Sequence, residues 1–369
     1  MRRLLATGKA LLILFILFLS SSFIQTAEAA SFIVNSTADT NDGSCTALNC
    51  TLREAINAAN ASGSTSTITF NVSGTITLSS ALPQVTNTAG LTISAQPRQV
   101  KISGNNSVQI LDVASGARLT LDGLALVNAN TLGSGGAINN KGLLTVTRCT
   151  FGNNHASIGG AIYSTITTTE KTWNVSTSTF YQNSATTGGG AIHHGSGTAN
   201  ITNCTFTGNS APNGAALVNG SGWAMNVYYS TIAGNAASAG AIVQNASGAL
   251  ALYSTIVANP AAAANCSASI QNAGNNLDSG SSCGWGSNSG SLSNADPLLR
   301  SLGNYGGATD TIALRRASPA IDAGKPADCP ATDQRGVTRP FGTACDMGAF
   351  EYTGDTSSTL PAMDLLLND

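Results

Sequence analysis

Charged residues are scarce in this sequence. Of its 369 residues, 16 are Lys or Arg and 18 are Asp or Glu, so 9% are charged, whereas an ordinary soluble domain carries about 25%. The net charge of −2 gives no electrostatic basis for holding a phosphate backbone, so we expect no nucleic-acid partner. Low net charge also argues against disorder, and a helical bundle would need a surface of Glu, Lys and Arg.

Hydroxyl and amide side chains take the place of charge. The sequence contains 42 Ser, 42 Thr and 34 Asn, together with 40 Gly. Because Ser, Asn and Gly favour turns, this composition indicates a β-rich, turn-rich chain with a polar and nearly uncharged surface.

The N-terminus has the pattern of a secretory signal. Basic residues including Lys9 precede the apolar run Leu11–Leu19, and Ala27–Ala29 supplies an A-x-A cleavage site. The run is shorter than the roughly 20 residues that a membrane span needs. We therefore predict a signal peptide over residues 1–30, no membrane span after its cleavage, and a secreted, extracellular or cell-surface location.

Two short phrases recur along the middle of the chain with a common period of about 25 residues. The phrase Gly-Gly-Ala-Ile begins at Gly135, Gly159 and Gly189. The phrase Thr-(Phe/Ile)-x-x-Asn ends at five asparagines, which are Asn154, Asn183, Asn209, Asn235 and Asn259. One supersecondary unit per period is typical of a solenoid. Apolar residues alternate between the phrases and no helical stretch is present, so the sequence predicts an all-β parallel β-helix over residues 65–293.

Alignment of the repeats on the Phe/Ile position predicts stacked columns. Four aliphatic residues five positions earlier should point inward: Val146, Val175, Ile201 and Val227. A small-residue column two positions earlier aligns as Cys149, Ser178, Cys204, Ser230 and Ser254. The asparagines can form a ladder in which side-chain amides bond the coils above and below.

The eight cysteines fall into two groups. Cys149 and Cys204 should lie two coils apart, roughly 9.5 Å at the spacing of stacked strands, which exceeds the ~7 Å limit between Cα atoms of a disulfide. We predict that both are buried free thiols. The other six form three local pairs suited to disulfides in an exported chain, although the sequence leaves their connectivity open: Cys45 with Cys50, Cys266 with Cys283, and Cys329 with Cys345.

Two regions of different character flank the repeats. Residues 31–64 contain Thr51 and Glu54 at capping-box spacing, followed by an amphipathic pattern that predicts a short helix closing the N-terminal end. Residues 294–354 consist of loops, and residues 355–369 are interpreted as a flexible tail. The C-terminal loops concentrate charge that we expect to form fold-fixing ion pairs, at Asp322, Asp328, Asp333, Arg335, Arg339, Asp346 and Glu351.

Several of these motifs resemble bacterial families. Residues 50–56, Cys-Thr-Leu-Arg-Glu-Ala-Ile, resemble the CSLREA motif with Thr51 in place of Ser. Four C-terminal segments are similar to choice-of-anchor Q domains: residues 296–307, 318–324, 333–336 and 346–351. The two repeated phrases are similar to the repeats of polymorphic outer-membrane proteins. The resemblance implies an exported, right-handed β-helix on or near a bacterial surface, and it carries over no catalytic residues.

An enzyme is the alternative hypothesis, because polysaccharide lyases and hydrolases of the pectate-lyase-like type use parallel β-helices. Their chemistry needs paired carboxylates, or calcium-binding acids with a cationic base. Residues 123–277 contain one acid, Glu170, so the regular coils cannot supply a carboxylate pair. The less regular early coils contain Asp112 and Asp122.

Aromatic residues provide the carbohydrate-binding candidates, because exposed rings can stack on sugars. The candidates are Tyr163, His193, Tyr228 and Tyr229, and we expect Tyr228 and Tyr229 to face outward. His194 is instead interpreted as one position of a polar ladder, in a column with Asn140, Ser164, Asn219 and Gln244.

A calcium site is a further candidate at Asp39, Asn41 and Asp42. The spacing does not match an EF-hand, and a turn rich in Asx residues explains the same pattern. The absence of a repeated C-x-x-C pattern argues against structural zinc. We expect no other cofactor.

The sequence as a whole favours a secreted or cell-surface β-helix that binds or presents a surface, in the manner of an adhesin and without catalysis. Polysaccharide or a neighbouring cell is the expected partner, and the oligomeric state is left open. A bare wall of Ser, Thr and Asn would favour binding, whereas convergent acidic or basic side chains in one groove would favour the enzyme. Ice binding would require regular Thr-x-Thr rows, and the aligned columns mix other residues.

Overall fold

Inward apolar and outward polar residues alternate along the strands, as in Thr198–Thr202, where Ala199 and Ile201 are buried. The computed structural model describes residues 29–354, apart from residues 221, 260–262 and 287–288. Residues 1–28 of the predicted signal peptide and the predicted tail at 355–369 lie outside the described residues. No helix among the described residues is long and apolar enough to cross a bilayer.

Short strands make up most of the structure. The N-terminal third contains β1 (Ala30–Val34), β2 (Ser66–Phe70), β3 (Gly74–Thr77), β4 (Leu91–Ser94), β5 (Val100–Ser103), β6 (Leu111–Val113), β7 (Arg118–Asp122), β8 (Leu124–Val127), β9 (Ile138–Asn140), β10 (Leu143–Thr147) and β11 (Thr150–Gly152). The middle third contains β12 (His155–Ile158), β13 (Ile162–Thr165), β14 (Thr172–Ser176), β15 (Thr179–Tyr181), β16 (Ser184–Gly188), β17 (Ile192–Ser196), β18 (Thr198–Thr202), β19 (Thr205–Thr207), β20 (Ser210–Ala211), β21 (Leu217–Asn219) and β22 (Ala224–Tyr228). The C-terminal third contains β23 (Thr231–Ala233), β24 (Ala236–Ala237), β25 (Val243–Asn245), β26 (Ala249–Tyr253), β27 (Ile256–Ala258), β28 (Ile270–Asn272), β29 (Leu277–Asp278), β30 (Leu292–Ser293), β31 (Leu299–Gly303) and β32 (Thr311–Leu314).

Four parallel sheets run along the molecule. Sheet A has the order β1-β2-β4-β7-β10-β14-β18-β22-β26-β28, and sheet B has the order β3-β5-β8-β11-β15-β19-β23-β27-β29-β30. Sheet C is β6-β9-β13-β17-β21-β25, and sheet D is β12-β16-β20-β24. Successive coils add neighbouring strands to the same sheets, which confirms the predicted all-β parallel β-helix. Strands β31 and β32 form an antiparallel pair outside these sheets.

The core consists of the predicted inward columns. Val146, Val175, Ile201 and Val227 are successive partners in sheet A and are buried. In sheet B the buried rings of Phe151, Phe180 and Phe206 stack with centroids 4.7 and 4.8 Å apart. Full burial of one such side chain contributes about 1.5–3 kcal/mol.

The predicted asparagine ladder is confirmed. Side-chain amides link Asn154 to Asn183, Asn183 to Asn209 and Asn209 to Asn235 at 2.9 Å each, and Asn235 to Asn259 at 3.1 Å. Each Nδ2 of the first three also donates to a backbone carbonyl. The ladder therefore satisfies buried polar groups at the corner between sheets B and D.

The alignment of the last coil is wrong by one residue. Ser254 is not in the small-residue column. It occupies the corner between sheets A and B with φ +47°, and the equivalent corner residue of the preceding coil is Tyr229, with φ +44°. Thr255 takes the column position, and its Oγ1 accepts from the backbone N–H of Ser230. In consequence Ile232 pairs with Val257, not with Ile256.

The two central cysteines are free and buried, as predicted. Burial raises the pKa of Cys149 and of Cys204 to about 12. Disulfides join all three predicted pairs: Cys45 with Cys50, Cys266 with Cys283, and Cys329 with Cys345.

The predicted N-terminal helix is α1 (Leu52–Ala61). The capping box is present, since Thr51 Oγ1 accepts from the Glu54 N–H and the Glu54 carboxylate accepts from the Thr51 N–H. Its buried apolar face belongs to the same core as the first coils. The strand β1, within the region predicted as a cap, is the first strand of sheet A; the domain boundaries given above stay predictions.

The C-terminal segment, residues 294–354, covers part of the outer face of sheet B. The Gln334 side-chain oxygen accepts from Thr205 Oγ1 at 2.6 Å, and its nitrogen donates to Thr179 Oγ1 at 3.0 Å. A short 3-10 helix, Pro326–Asp328, lies in this segment. The segment thus binds sheet B through buried polar groups and through an apolar cluster in which Ile256 and Leu277 pack with Leu314, Met347 and Phe350.

A buried charge network holds this segment together. The Arg339 guanidinium, whose side chain is 0% exposed, donates to the carbonyls of Asp346 and Gly348 at 2.8 Å and lies 3.5 Å from the Glu351 carboxylate. Arg335 pairs with Asp333 at 2.7 Å. Burial raises the pKa of Asp346 to about 7, although backbone N–H groups donate to its carboxylate. Five of the seven charges expected to fix the fold therefore meet here.

Candidate carbohydrate-binding face

The outer face of sheet A carries two columns of small polar side chains, because alternate residues of each strand point outward. One column passes through Thr145, Asn174, Asn200 and Asn226, and the other passes through Thr147, Ser176, Thr202 and Tyr228. Asn200 donates to Asn174 and Asn226 donates to Asn200, both at 3.1 Å. The result is an array of amide and hydroxyl groups that stays partly exposed.

Two stacked tyrosines stand at one end of this array. Tyr228 and Tyr253 are register partners in sheet A, and their ring centroids lie 4.3 Å apart with 20° between the planes. Both rings are partly exposed, and burial raises the pKa of Tyr228. Adjacent rings and hydrogen-bonding groups together provide apolar contact and polar contact for a sugar.

Tyr229 does not belong to this face, and the expectation that it points outward is wrong. Its side chain is 0% exposed, and its hydroxyl donates to the Lys325 carbonyl at 2.5 Å. The Arg339 guanidinium lies 4.9 Å from the ring centroid. The corner position directs the side chain under the C-terminal segment, so Tyr229 cannot contact a polysaccharide.

Tyr163 and His193 lie together on the outer side of sheet C. They are register partners, with ring centroids 5.5 Å apart. Burial lowers the pKa of His193 to about 4, and its Nδ1 has no hydrogen-bond partner. The four aromatic candidates are therefore separated. Tyr163 and His193 form one surface pair, and Tyr229 is buried. Tyr228 forms a second surface pair with Tyr253, which the sequence alignment did not single out.

His194 is a polar ladder position, as interpreted, but the last member of its column is Asn245, not Gln244. The ring is 0% exposed. Trp173 Nε1 donates to Nδ1 at 3.2 Å, so Nδ1 is unprotonated and Nε2–H donates to the Gly197 carbonyl at 3.0 Å. Burial lowers the pKa of His194 to about 4, although the hydrogen bond to the Gly197 carbonyl acts in the opposite direction. His194 is therefore a neutral structural group.

The carboxylates of the calcium candidate already bind protein groups. Asp39 forms a bidentate pair with Arg53 at 2.8 and 2.9 Å. Asp42 accepts from the Ser44 backbone N–H and from the Asn49 amide, and these hydrogen bonds lower its pKa. Within residues 29–354, with the gaps given above, no group of three or more His, Cys, Asp or Glu side chains could hold a metal ion.

The acids considered for catalysis are each paired with a cation. Asp122 lies 2.7 Å from Arg148, Glu170 lies 2.8 Å from Arg118, and Asp112 lies 4.0 Å from Lys141. Asp112 lies on β6 of sheet C, Asp122 lies on β7 of sheet A, and Glu170 lies between β13 and β14.

Two aromatic features escaped the sequence reasoning. Tyr253 lies 25 residues after Tyr228 and is its register partner. A repeat alignment that kept this spacing in the last coil, without the one-residue error described above, would have paired the two rings. Trp223 is 39% exposed and lies beneath the Lys171 ammonium, which is 4.2 Å from the ring centroid. No repeated phrase marks either Trp223 or Lys171.

Comparisons with known proteins show what the repeats are similar to. The Chlamydia polymorphic membrane protein repeat matches twice, at residues 148–165 and 177–195. No curated protein matches the sequence significantly. Among solved structures, the crystal structure of pectate lyase Pel9A is similar over 88% of this chain and 96% of that chain, with 13% identity and a TM-score of 0.46.

The two matched stretches correspond to adjacent coils, from the corner before β11 to β13 and from the corner before β15 to β17. Each stretch contains one Phe-x-x-Asn phrase and one Gly-Gly-Ala-Ile phrase. The chain is therefore a parallel β-helix protein with repeats similar to those of the Chlamydia polymorphic membrane proteins.

Proposed function

We propose that this protein is exported to the bacterial cell surface or its surroundings and binds polysaccharide there without cleaving it. The glycan coat of a neighbouring cell is one source of such a polysaccharide. The binding face is the outer side of sheet A.

The observation that carries this proposal is the Tyr228–Tyr253 stack beside a continuous amide and hydroxyl array. Rings supply apolar contact area at low conformational cost, because a tyrosine has two side-chain torsions. The array supplies donors and acceptors that suit sugar hydroxyls. Successive coils repeat these groups at the ~4.8 Å strand spacing, so the face suits a polymer better than a single small molecule.

Surface location is supported by three features. The repeats are similar to those of a polymorphic membrane protein family, the N-terminus reads as a secretory signal, and three disulfides fit an oxidising compartment. We also propose that the motifs resembling CSLREA and choice-of-anchor Q domains reflect a surface location.

The alternative function, a polysaccharide lyase or hydrolase, has less support. The acids of the early coils and Glu170 are engaged with Arg or Lys, whereas glycoside hydrolysis needs two carboxylates across the scissile bond. Binding without cleavage is therefore the function that the geometry favours.

Retention on immobilised polysaccharides tests the proposal. The wild-type protein is passed over a panel of neutral and acidic polysaccharides, and any retained pair is titrated calorimetrically. We expect the double variant Tyr228→Ala/Tyr253→Ala to lose at least about tenfold in affinity, equivalent to about 1.4 kcal/mol. Tyr163→Ala, which removes a partly exposed ring from sheet C, is the matched control.

Loss of affinity in Tyr163→Ala alone would move the binding site to the Tyr163–His193 pair. Equal loss in both variants would indicate general damage, which circular dichroism detects. Unchanged affinity in the double variant would contradict the assignment of sheet A. Absence of retention on every polysaccharide would contradict the function.

A further inference from the structure

A groove of about 570 Å³ opens on the outer face of sheet B where the C-terminal segment stops covering it. Its floor is formed by residues of β3, β5, β8 and β11, which are successive strands of sheet B. One wall is the turn at residues 96–98, and the other includes Asn304, Gly307 and Ala308 of the C-terminal segment. Four adjacent strands give the floor a length of roughly 14 Å.

Three cations line this groove, and its lining includes no acid. Lys101 projects from the floor between Thr75 and Ala125, its register neighbours. Arg98 is exposed on the wall, where its guanidinium donates to the Asn71 side chain and not to a carboxylate. Arg148 is paired with an acid, Asp122.

The concentration of positive charge is unusual for this chain. The whole sequence has 16 Lys and Arg against 18 Asp and Glu, yet neither Arg98 nor Lys101 has an acidic partner in the described structure. A cleft lined by one sign of charge concentrates the field and attracts ligands of the opposite sign. The groove therefore favours an anion.

The remaining lining residues indicate which anion. Thr75, Gln99, Thr150 and Asn304 offer hydroxyl and amide groups along the groove, which suit a hydroxyl-rich polymer. The lining contains no aromatic ring, whereas single-stranded nucleic acid is held by stacking on such rings. The floor strands β5 and β8 are paired on both sides, so a peptide cannot bind there by strand addition.

We propose that this groove binds an acidic polysaccharide, with Arg98 and Lys101 contacting its anionic groups. The proposal extends the polysaccharide binding proposed above to a second site, on a different sheet from the Tyr228–Tyr253 stack, and it specifies a charged ligand. Carboxylate and sulfate groups share the required chemistry.

Calorimetric titration of the full-length mature protein tests the site with four probes: hyaluronate as a carboxylate polymer, dextran sulfate as a sulfate polymer, neutral dextran, and a single-stranded oligothymidylate. We expect at least one acidic polysaccharide to bind, with affinity falling as salt is added. Lys101→Gln should weaken that binding by about tenfold and the double variant Arg98→Gln/Lys101→Gln by about a hundredfold, because ion pairs in a cleft contribute on this scale. Arg316→Gln, which removes an exposed cation outside the groove, is the matched control and should leave the affinity unchanged.

The variants separate this site from the face on sheet A. Tyr228→Ala/Tyr253→Ala should leave acidic-polymer binding within about twofold, and the groove variants should leave retention on uncharged polysaccharides unchanged. Binding of acidic polymers that Arg98→Gln/Lys101→Gln does not weaken would overturn the proposal. Failure of both acidic polymers to bind, equal binding of neutral dextran, or tighter binding of oligothymidylate would also overturn it.

Discussion

The repeat array and the C-terminal segment are stabilised in different ways. Residues 123–277 contain one acidic residue, and their buried polar groups repeat from coil to coil, as in the asparagine ladder. The C-terminal segment has no repeat and is held by a buried network around Arg339 and Asp333. An array distributes its stability over neighbouring units, whereas a buried charge network depends on every member.

The largest expected effect comes from breaking the charge network. Arg339→Met removes a fully buried guanidinium and leaves the Glu351 carboxylate without its cation, which should cost about 4 kcal/mol. The matched change in the early coils, Arg148→Met, breaks an exposed pair and should cost at most about 1 kcal/mol. Urea unfolding followed by circular dichroism measures both, and similar costs for the two variants would remove the contrast.

The array should respond to acid through His194. Its pKa is lowered from 6.5 to about 4 in the folded protein, so between these pH values the unfolded chain binds a proton that the folded chain does not. Stability is therefore lost as pH falls from 6.5 to 4, by about 3 kcal/mol for this group. In His194→Asn this part of the loss should be absent, because asparagine occupies the same column at Asn140 and Asn219. Thermal unfolding at pH 7 and pH 4 gives the comparison, and an unaltered pH response in the variant would contradict it.

A single rung of the buried ladder should cost less. Asn209→Ala removes the acceptor for the Asn183 backbone N–H and amide and the donor to Asn235, which should destabilise the protein by about 2 kcal/mol. Asn200→Ala, in the outer ladder on sheet A, should change stability by no more than about 0.5 kcal/mol. If chemical denaturation shows equal costs, burial of the inner ladder is not the source of its stability.

The smallest effect is expected at the free thiols. Cys204→Ser should change the unfolding free energy by less than about 1 kcal/mol, because Ser178 and Ser230 occupy the same column and donate to the backbone as Cys204 does. With a thiol pKa of about 12, both cysteines should resist a thiol reagent at neutral pH until the protein unfolds. Rapid modification of the native protein would show that the core opens locally.

Local repetition explains which parts of the structure could be predicted. The Phe-x-x-Asn and Gly-Gly-Ala-Ile phrases predicted the coils, the asparagine ladder and the separation of Cys149 from Cys204, because each coil imposes the same demands on the same position. The prediction was wrong in the last coil, where the repeat is shifted by one residue. Ser254 occupies the corner, and Thr255 and Val257 take the columns assigned to Ser254 and Ile256.

Long-range packing explains which parts could not be predicted. Tyr229 is hidden because the C-terminal segment covers its corner, and nothing in the local sequence states where that segment lies. The groove combines Arg98 and Lys101 from one coil, Arg148 from the corner before β11 two coils further on, and Asn304 from the C-terminal segment. Such a site depends on the register between strands of sheet B and on where the C-terminal segment packs, and residue spacing alone predicts neither.

The central claim, binding without cleavage, is tested most directly by measuring retention and new chain ends in the same incubation. Wild-type protein is held with each polysaccharide of the panel, and reducing ends and unsaturated ends are assayed against heat-denatured protein. The account predicts retention on at least one polysaccharide, with chain ends equal to those of the control. New chain ends above the control, lost on substitution of residues in either binding region, would show that the protein is an enzyme.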